Sequence, residues 1–382
     1  MKKKIMQVIP KLGFGGAETG CYDLAHYLFE KGWKSYIVTN GGELIKFVKK
    51  DKVKIIRLPV DSKNPLIILF NGIALSIIIL LLNIDLIHVR SRAPAWSCII
   101  SKFLTRKKFV TTFHGTYNFS SKLKLLYNSV MTRANLVIAG SNFIFKHINE
   151  NYGKFLNSSN KLMVIFRGIN LEYFNPKNIS DNKINTLVKN WKIDRSKFVI
   201  LLPGRLTKWK GQEIFIEALN ILSEDYYKSN YQAIILGSNQ GRKVYEKKLL
   251  NLTERYQLTN RIKFINSISD MPSAYALSDL VVSSSIEPEA FGRISVEAQA
   301  MEKVIVASDI GGSKETILNE KSGFLYKSDD PRELAKTLNS VMDLDKETLN
   351  SIGIEGRKNV IKKFDVEKMC HTTFSEYQKL LK

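Results

Sequence analysis

Short apolar runs alternate with segments of helical periodicity along most of this chain. Runs of this length, bounded by polar or turn residues, are typical of buried strands, and the stretches between them repeat apolar residues every three to four positions. This alternation indicates doubly wound α/β units with parallel sheets. The predicted strands are Ile5–Ile9, Ser35–Thr39, Leu86–Val89, Phe109–Phe113 and Leu136–Ala139, then Phe198–Pro203, Ala233–Leu236, Ile262–Ile265, Leu280–Ser283 and Val304–Ala307.

A polar stretch rich in Asn, Asn175–Asn190, separates the two series of strands and is predicted to be a linker. We therefore predict two Rossmann-like domains, residues 1–180 and 181–363, which face each other across a cleft. Residues 364–382 are predicted to form a C-terminal helix, because Phe374, Tyr377 and Leu381 follow helical spacing.

The positive charge of the chain is unevenly distributed. The 382 residues include 58 basic and 36 acidic side chains, a formal net charge of +22. Residues 1–180 hold 27 basic and 9 acidic side chains, a net charge of +18. Nucleic acid, anionic lipid and phosphorylated substrates are partners that such a field favours. Biased composition is the alternative explanation, because Lys outnumbers Arg by 44 to 14.

The segment Leu66–Leu82 contains no charged residue and is dominated by Ile and Leu. Its 17 residues would span about 26 Å as a helix, short of a bilayer core of about 30 Å. We predict a buried or interfacial helix rather than a membrane span. The three cysteines, Cys21, Cys98 and Cys370, have neither disulfide-framework nor zinc-site spacing, which fits a reducing cytoplasm.

Ligands in open α/β sheets bind beyond the carboxyl ends of strands, so the residues after each predicted strand are candidates. Gly15 and Gly16 follow the first strand and open a helix, where backbone N–H groups can hold an anion. A dinucleotide fingerprint would need Gly in place of Glu18 and an acid in place of Thr39 or Asn40, so a nicotinamide or flavin enzyme is disfavoured. A plain tight turn is the alternative.

Arg205 and Lys210 follow the first strand of the second half, in a loop that enters a helix. A planar guanidinium and a compact ammonium are suited to binding a diphosphate, although two basic residues in a loop are otherwise simply solvated. The segment is not a P-loop, because Gly-Lys-Ser/Thr spacing is missing.

Glu289 and Glu297 lie eight positions apart around the turn formed by Ala290, Phe291 and Gly292. Glu289 falls in a strand-to-helix loop, and Glu297 lies more than one turn into the helix. Gly292 permits a close turn at the helix start, where N–H groups and the positive dipole end can face an anion. Two solvated glutamates are the alternative.

His114 directly follows another strand and is predicted to face the cleft, where it can donate to a sugar hydroxyl or phosphate, or transfer a proton. A structural histidine that caps the turn is the alternative. His88, Arg90 and Arg92 end a strand of the same half and are weaker candidates for contact with an acceptor. No metal site is predicted, since the one Asp-x-Asp, Asp343–Asp345, lies in a charged stretch rather than after a strand.

Five short motifs occur in one order along the chain. They are Gly15-Gly16-Ala17-Glu18, Phe113-His114-Gly115, Gly204-Arg205-Leu206 running to Lys210-Gly211, Glu289 to Glu297, and Gly311-Gly312-Ser313-Lys314-Glu315. This order resembles the family-4, or group 1, retaining glycosyltransferases of the GT-B fold, and the resemblance covers nearly the whole chain.

The resemblance implies that the second half binds a nucleoside-diphosphate sugar. Arg205 and Lys210 would hold the diphosphate, and Glu297 would hold the ribose. Glu289 and the backbone of residues 290–292 would hold the sugar and phosphate.

For the first half, the resemblance implies acceptor binding. Gly15 and Gly16 would approach the phosphate from across the cleft, and His114 would contact the donor sugar near the reacting carbon. The last helix would cross back onto the first domain. One departure from the family pattern is Asn266, which replaces the usual glycine near the expected base-binding loop, and another is Glu302-Lys303, which replaces a Gly-x pair.

We expect a cytoplasmic, metal-independent, retaining hexosyltransferase that needs no cofactor. Its partners would be a nucleotide-sugar donor, a lipid-linked or cell-surface glycan acceptor of the lipopolysaccharide or exopolysaccharide type, and the anionic inner face of the cell membrane, bound peripherally. A nucleotide-sugar epimerase of the same architecture is one alternative. A non-catalytic basic binding protein is another, but nucleic acid is disfavoured because the glutamate pair repels phosphates and no aromatic-basic pattern of an RNA platform is present.

Overall fold

The computed structural model describes residues 2–157 and 161–382, which form two compact α/β units. Unit 1 comprises Met1–Gly168 and Val366–Lys382, and unit 2 comprises Ile169–Asp365. The first unit therefore ends at residue 168 rather than at the predicted 180. The predicted linker is wrong, because Asp181–Trp191 is a helix of unit 2. Its apolar residues recur at helical spacing and end in buried Trp191, a pattern that the surrounding Asn and Lys residues conceal.

Unit 1 is built on a parallel sheet of seven strands in the order β3-β2-β1-β4-β5-β6-β7. Its elements are β1 (Lys4–Val8), α1 (Gly16–Glu30), β2 (Lys34–Thr39), β3 (Val53–Arg57), α2 (Pro65–Leu82), β4 (Leu86–Val89), α3 (Arg92–Thr105), β5 (Lys108–Phe113), α4 (Lys122–Ser129), β6 (Leu136–Ala139), α5 (Asn142–Tyr152) and β7 (Lys161–Val164).

Unit 2 is built on a parallel sheet of six strands in the order β10-β9-β8-β11-β12-β13. Its elements are α6 (Asp181–Trp191), β8 (Phe198–Pro203), α7 (Gln212–Glu224), β9 (Tyr231–Leu236), α8 (Lys243–Arg255), β10 (Ile262–Ile265), α9 (Met271–Leu277), β11 (Leu280–Ser283), α10 (Arg293–Ala300), β12 (Val304–Ser308), α11 (Ser313–Thr316), β13 (Phe324–Tyr326), α12 (Pro331–Met342) and α13 (Lys346–Lys363).

The ten predicted strands are all confirmed, and the three further strands, β3, β7 and β13, are each at the edge of a sheet. Central strands such as β4, β6 and β11 are buried at every residue, because helices cover both faces of a parallel sheet. The edge strand β3 instead alternates buried, half-buried and exposed positions. β3 therefore lacks the continuous apolar run that identifies the central strands.

The last helix, α14 (Val366–Leu380), belongs to unit 1. Buried Tyr377 enters the same core as Leu24 and Leu28 of α1. The Lys161 Nζ atom lies 2.7 Å from the carboxylate of Glu376, so α14 is also tied to β7. The unit is thus completed by residues from both ends of the chain.

The apolar segment is the helix α2, as predicted, and it has two faces. The buried residues are Asn71, Gly72, Leu75, Ser76 and Ile79, and the other side is exposed. Of the helices that the structure describes, α2 alone is long and apolar enough to cross a membrane by length and composition.

Candidate active site

In each sheet the strands are added first towards one edge and then towards the other, and we call the place between the two series the switch point. In open α/β sheets the loops at the switch point form the ligand crevice. In unit 2 this point lies between β8 and β11, which are neighbours. In unit 1 it lies between β1 and β4. The predicted site residues follow these strands or, for His114, the adjacent strand β5.

In unit 2 the loop after β8 and the loop after β11 are packed backbone to backbone. Gly211, which precedes α7, has a φ of +67°, and a Cβ atom there would lie 1.8 Å from the carbonyl oxygen of Ser284. The Ser284 hydroxyl donates to the Gly211 carbonyl at 2.9 Å, and the Ile286 N–H donates to the Trp209 carbonyl at 2.9 Å. Only glycine at position 211 permits this approach.

This packing brings Lys210 and Glu289 together, 79 positions apart in the chain. The Lys210 Nζ atom lies 2.6 Å from Glu289 Oε1, and both side chains are 11% exposed. The Ser285 hydroxyl donates to the same oxygen at 2.7 Å. Burial alone would raise the pKa of Glu289, but the Lys210 ammonium, the Ser285 hydroxyl and the Arg205 guanidinium outweigh it and lower that pKa. Glu289 is therefore a carboxylate at neutral pH.

Arg205 is exposed at the mouth of the same loop. Its carbonyl accepts from the Gln212 amide at 2.9 Å, which fixes the backbone and leaves the side chain outside. The guanidinium carbon lies 6.0 Å from the centre of the Trp209 ring, and Lys210 Nζ lies 4.5 Å from it. Both cations thus lie near the ring of Trp209, and their N–H groups can still donate to an anion.

The loop after β11 is also joined to the loop after β12. The Gly312 N–H donates to the Glu289 carbonyl at 2.7 Å, and a Cβ atom at Gly312 would lie 2.5 Å from the backbone of Phe291. Ala290 is half-buried, and Gly292, with a φ of +79°, starts α10. The backbone of residues 290–292 is therefore held in place by neighbouring loops at a helix N-terminus.

Glu297 lies on α10 and is 7% exposed. The Tyr275 hydroxyl donates to its Oε2 at 2.8 Å, and Arg293 Nε donates to its Oε1 at 2.5 Å. A carboxylate has about four acceptor positions, so two remain for a ligand hydroxyl. The structure therefore orients Glu297 through Tyr275 and Arg293.

In unit 1 four of the predicted site residues line one small cavity of about 20 Å³, room for roughly one water molecule, and Gly15 and Arg92 do not line it. The cavity is lined by Gly16, His88, Arg90, His114 and Arg167, among others. Gly16 is the first residue of α1, and a Cβ atom there would lie 2.2 Å from the guanidinium of Arg167. Gly15 is the N-cap of α1, and the Glu18 carboxylate folds against it.

The two histidines of this cavity differ in their partners. His88 is 1% exposed, with Nδ1 at 2.5 Å from the Tyr377 hydroxyl and Nε2 at 2.7 Å from the Thr112 hydroxyl. Its ring nitrogens are thus occupied inside the core rather than turned towards an acceptor. His114 is half-buried, and in the described part of the chain neither of its ring nitrogens has a hydrogen-bond partner. Burial, together with nearby arginines, places the pKa of both histidines well below the ordinary value, so both are neutral at pH 7.

Arg90 and Arg92 separate at the end of β4. Arg90 is 6% exposed and donates from Nε to Gln7 Oε1 at 2.9 Å, and no Asp or Glu among the described residues forms an ion pair with it. Arg92 turns away, donates to Asn128 at 2.8 Å and lies 4.4 Å from the centre of the Tyr117 ring. Only Arg90 of these two lines the cavity.

Three residues of these sites were not predicted. Arg167 follows β7, and an apolar run at Leu162–Ile165 was the available signal. Ser285 lies two residues after a predicted strand, in a run of three serines. Tyr275 offered no signal, because its contact with Glu297 joins two helices.

Metal binding has no assembled ligand set in the part of the chain that the structure describes, where no group of three His, Cys, Asp or Glu side chains converges. The independence from metal and cofactor stays a prediction.

Two parallel-sheet α/β units in one chain are the architecture of the GT-B class of glycosyltransferases. Residues 183–359 match the family described as glycosyl transferases group 1, and residues 14–173 match glycosyltransferase family 4. The crystal structure of a glycosyltransferase from Rickettsia africae ESF-5 matches with a TM-score of 0.89 and 35% identity, and the match covers 100% of this chain and 99% of that chain. The chain therefore belongs to the group 1 glycosyltransferases, and the predicted family and fold are confirmed.

Two further relatives extend the comparison. The crystal structure of Anabaena Alr3699/HepE in complex with UDP-glucose has a TM-score of 0.83 at 24% identity and covers 98% of this chain and 99% of that chain. The capsular polysaccharide biosynthesis glycosyltransferase CapM of Staphylococcus aureus is 26% identical over 370 residues, which are 93% of this chain and 92% of that protein.

Proposed function

We propose that this chain transfers a hexosyl unit from a nucleoside-diphosphate sugar to a lipid-linked or cell-surface glycan acceptor, with retention of configuration and without a metal ion. The observation that carries the proposal is the ion pair of Lys210 and Glu289 at the switch point of unit 2, next to the exposed guanidinium of Arg205. Cations for a diphosphate and a carboxylate for sugar hydroxyls are the groups that such a donor requires.

The chemistry follows from charge. The bond between the anomeric carbon and the diphosphate oxygen breaks, and its electron pair leaves with the diphosphate. Arg205 and Lys210 stabilise that anion, together with backbone N–H groups at the start of α10. The acceptor oxygen forms the new bond to the anomeric carbon, and its proton passes to the departing diphosphate. The positive charge that a metal ion would supply thus comes from side chains.

The environment of Glu289 supports attack on the same face as departure, rather than double displacement. Its Oε1 already accepts from Lys210 and Ser285, and its lowered pKa makes it a weaker base and nucleophile. Glu289 then orients sugar hydroxyls. Neutral His114 exchanges a hydrogen bond with the sugar near the reacting carbon, and the N–H groups at Gly15 and Gly16 bind phosphate.

The descriptions of the relatives support the choice of substrates. A complex with UDP-glucose supports a nucleotide-sugar donor, and capsular polysaccharide biosynthesis supports a cell-envelope glycan as acceptor. The charge of +18 on residues 1–180 supports work at the inner face of the cell membrane, from the cytoplasm.

The test is transfer of radiolabelled hexose from UDP, GDP and ADP sugars to a membrane extract, with and without a chelator. We expect transfer from one nucleotide sugar, a product of retained configuration by NMR, and no effect of the chelator. Arg205→Ala should lower the rate by about 100- to 1000-fold. Lys248→Met is the matched control, because Lys248 pairs with Glu213 on the surface of the same unit.

Transfer by Arg205→Ala at the rate of the unmodified protein would overturn the site assignment. A new free nucleotide sugar formed without acceptor would indicate the epimerase instead. Retention of nucleic acid, with no nucleotide sugar bound in a thermal-shift panel, would indicate a binding protein.

A further inference from the structure

The outer face of α2 is a continuous apolar surface. Seven of its large side chains are between 47% and 76% exposed, and they recur every three to four positions along the helix. They are Leu66, Leu69, Phe70, Ile73, Ile77, Leu80 and Leu81. Isolated exposed apolar residues are ordinary, but a contiguous patch of this length on one helix indicates an interaction surface.

The neighbouring helix α3 extends this surface. The Ser97 hydroxyl donates to the Ile68 carbonyl at 3.1 Å, and a Cβ atom at Gly72 would lie 2.7 Å from Ile100 Cβ. These two contacts show that α2 and α3 run side by side in the same direction. Phe103 and Leu104, which are 84% and 55% exposed, therefore lie beside the second half of α2. We name these nine side chains, seven from α2 and two from α3, the apolar ridge.

The charge near the ridge is mainly positive; Asp61 and Asp85 flank α2, and they accept hydrogen bonds from the Asn40 amide and the Lys4 backbone N–H. Between residues 86 and 149 the chain has ten Lys and Arg residues and no Asp or Glu. Exposed Lys63 directly precedes α2, and exposed Lys122 and Lys124 lie on α4, which packs on α3 through the Trp96 indole and the Tyr127 carbonyl, 3.1 Å apart. An apolar surface bordered by cations matches a bilayer interface with anionic headgroups.

The topology excludes a transmembrane role for α2. It connects β3 to β4, and both strands run parallel in the same sheet. A helix across a bilayer would place those strands on opposite sides of the membrane. The buried face of α2 includes Asn71 and Ser76, which donate to the carbonyls of Pro59 and Gly72. The helix therefore stays in its unit and offers only its outer face.

We propose that the apolar ridge inserts into the interfacial region of an anionic lipid bilayer, with α2 parallel to the membrane plane. The ridge enters the acyl boundary, while Lys63, Lys122 and Lys124 contact phosphate headgroups. The biological purpose of this docking rests on the proposed function, because docking would bring the enzyme to a membrane-associated acceptor. The docking itself requires no sugar donor.

The test is flotation of the full chain with vesicles that contain phosphatidylglycerol, compared with vesicles of phosphatidylcholine alone. We expect binding to the anionic vesicles that weakens with salt. The double variant Ile77→Ser/Phe103→Ser should lower the partition coefficient about ten-fold or more, because two large apolar side chains are lost. Val244→Ser is the matched control, since Val244 is 87% exposed but lies on α8 of unit 2.

Charge and depth are tested separately. Lys63→Glu/Lys124→Glu should weaken binding to anionic vesicles by about five-fold or more per residue, whereas Lys336→Glu, on α12 of unit 2, should not. In Phe103→Trp the added indole should be quenched by brominated lipids. Thermal unfolding should leave every variant as stable as the unmodified protein, because the changed residues are exposed.

Equal binding of the ridge variant and the unmodified protein, or no binding to anionic vesicles, would overturn the proposal. A dimer in sedimentation that Ile77→Ser/Phe103→Ser converts to monomer, without vesicle binding, would show a second copy of the chain as the occupant. Resistance to carbonate extraction would show a membrane span. Because the vesicle assay contains no nucleotide sugar, its failure leaves the transferase result unchanged, and loss of transfer leaves docking unchanged.

Discussion

The two switch points differ in whether their buried charges are paired with opposite charges. In unit 2, Lys210 is paired with Glu289, and Arg293 with Glu297, so each buried carboxylate has a cation within 2.6 Å. In unit 1, Arg90 donates to the neutral amide of Gln7, and the two histidines beside it are uncharged. The same α/β frame thus supports one site that is internally neutralised and one that stays electropositive.

The difference predicts how each site would receive a negatively charged substrate under the proposed function. If unit 2 binds the diphosphate as we propose, Glu289 already orients one of its cations, Lys210, so little rearrangement would be needed. In unit 1 the Arg90 guanidinium has no carboxylate partner among the described residues, and the Gln7 amide oxygen offsets part of the cost of burying that charge. Experiments that remove one partner at a time test this difference between the two sites.

The largest effect is expected from Glu289→Ala. Lys210, which is 11% exposed in the intact pair, would lose its carboxylate, and breaking a buried pair costs about 3–5 kcal/mol of unfolding free energy. Transfer should fall by at least about 100-fold. Urea unfolding and initial rates measure the two quantities.

The double variant Lys210→Met/Glu289→Met separates the roles of the pair. It should recover most of the lost stability, because no unpaired charge stays buried, but none of the activity. The exposed pair of Lys248 and Glu213 is the control, and its loss should cost less than about 1 kcal/mol. If Glu289→Ala is as stable as the unmodified protein, the buried-pair account fails.

The two histidines of unit 1 should separate rate from stability. His114→Ala should lower the rate by about 100-fold with little loss of stability, because its ring nitrogens have no hydrogen-bond partner among the described residues. His88→Phe should leave the hydroxyls of Tyr377 and Thr112 unpaired and cost about 1–3 kcal/mol, while the folded fraction keeps its rate. Equal losses of rate in both variants would contradict the assignment.

Acid should destabilise unit 1 before unit 2. A histidine with a lowered pKa stays neutral when folded but binds a proton when unfolded, so its contribution is present above about pH 6.5 and is lost as pH falls. The slope is at most about 1.4 kcal/mol per pH unit for each histidine. The pKa of Glu289 is lowered, so the stability that this carboxylate contributes is lost only below about pH 4.5, which is the ordinary pKa of a glutamate.

Tryptophans report the two units separately, with Trp33 and Trp96 in unit 1 and Trp191 and Trp209 in unit 2. Variants that keep one tryptophan, unfolded in urea between about pH 7 and 5, should lose stability first at the unit 1 probes. An earlier change at Trp191 would reverse the order.

The smallest effect is expected from Tyr275→Phe. The change removes one of the two donors to Glu297 and leaves Arg293 as its partner. One hydrogen bond of about 1 kcal/mol corresponds to roughly a five-fold rise in KM for the nucleotide sugar, with kcat nearly unchanged. A fall in kcat without a change in KM would argue against ribose orientation by Glu297.

The sequence was sufficient to predict the strands and the loops that follow them, because burial on both faces leaves continuous apolar runs such as Leu280–Ser283. It was not sufficient for side-chain partners. The contact of Lys210 with Glu289 spans 79 positions and depends on Gly211 lying against Ser284. His88 illustrates the same limit. Its position at a strand end suited contact with an acceptor, but its Nδ1 atom is hydrogen-bonded to the Tyr377 hydroxyl of α14. Arg167 was missed together with β7, an edge strand whose apolar run Leu162–Ile165 was not assigned as a strand.

The interlocking of the loops in unit 2 has a consequence for engineering. Gly211 lies against Ser284, and Gly312 lies against Phe291 at distances that leave no room for a Cβ atom. A chimera that receives only one of these three loops from a homologue would inherit a mismatched backbone contact. If these loops bind the donor as we propose, donor preference should be exchanged, by recombination or by design, by replacing all three segments together, although they are distant in sequence.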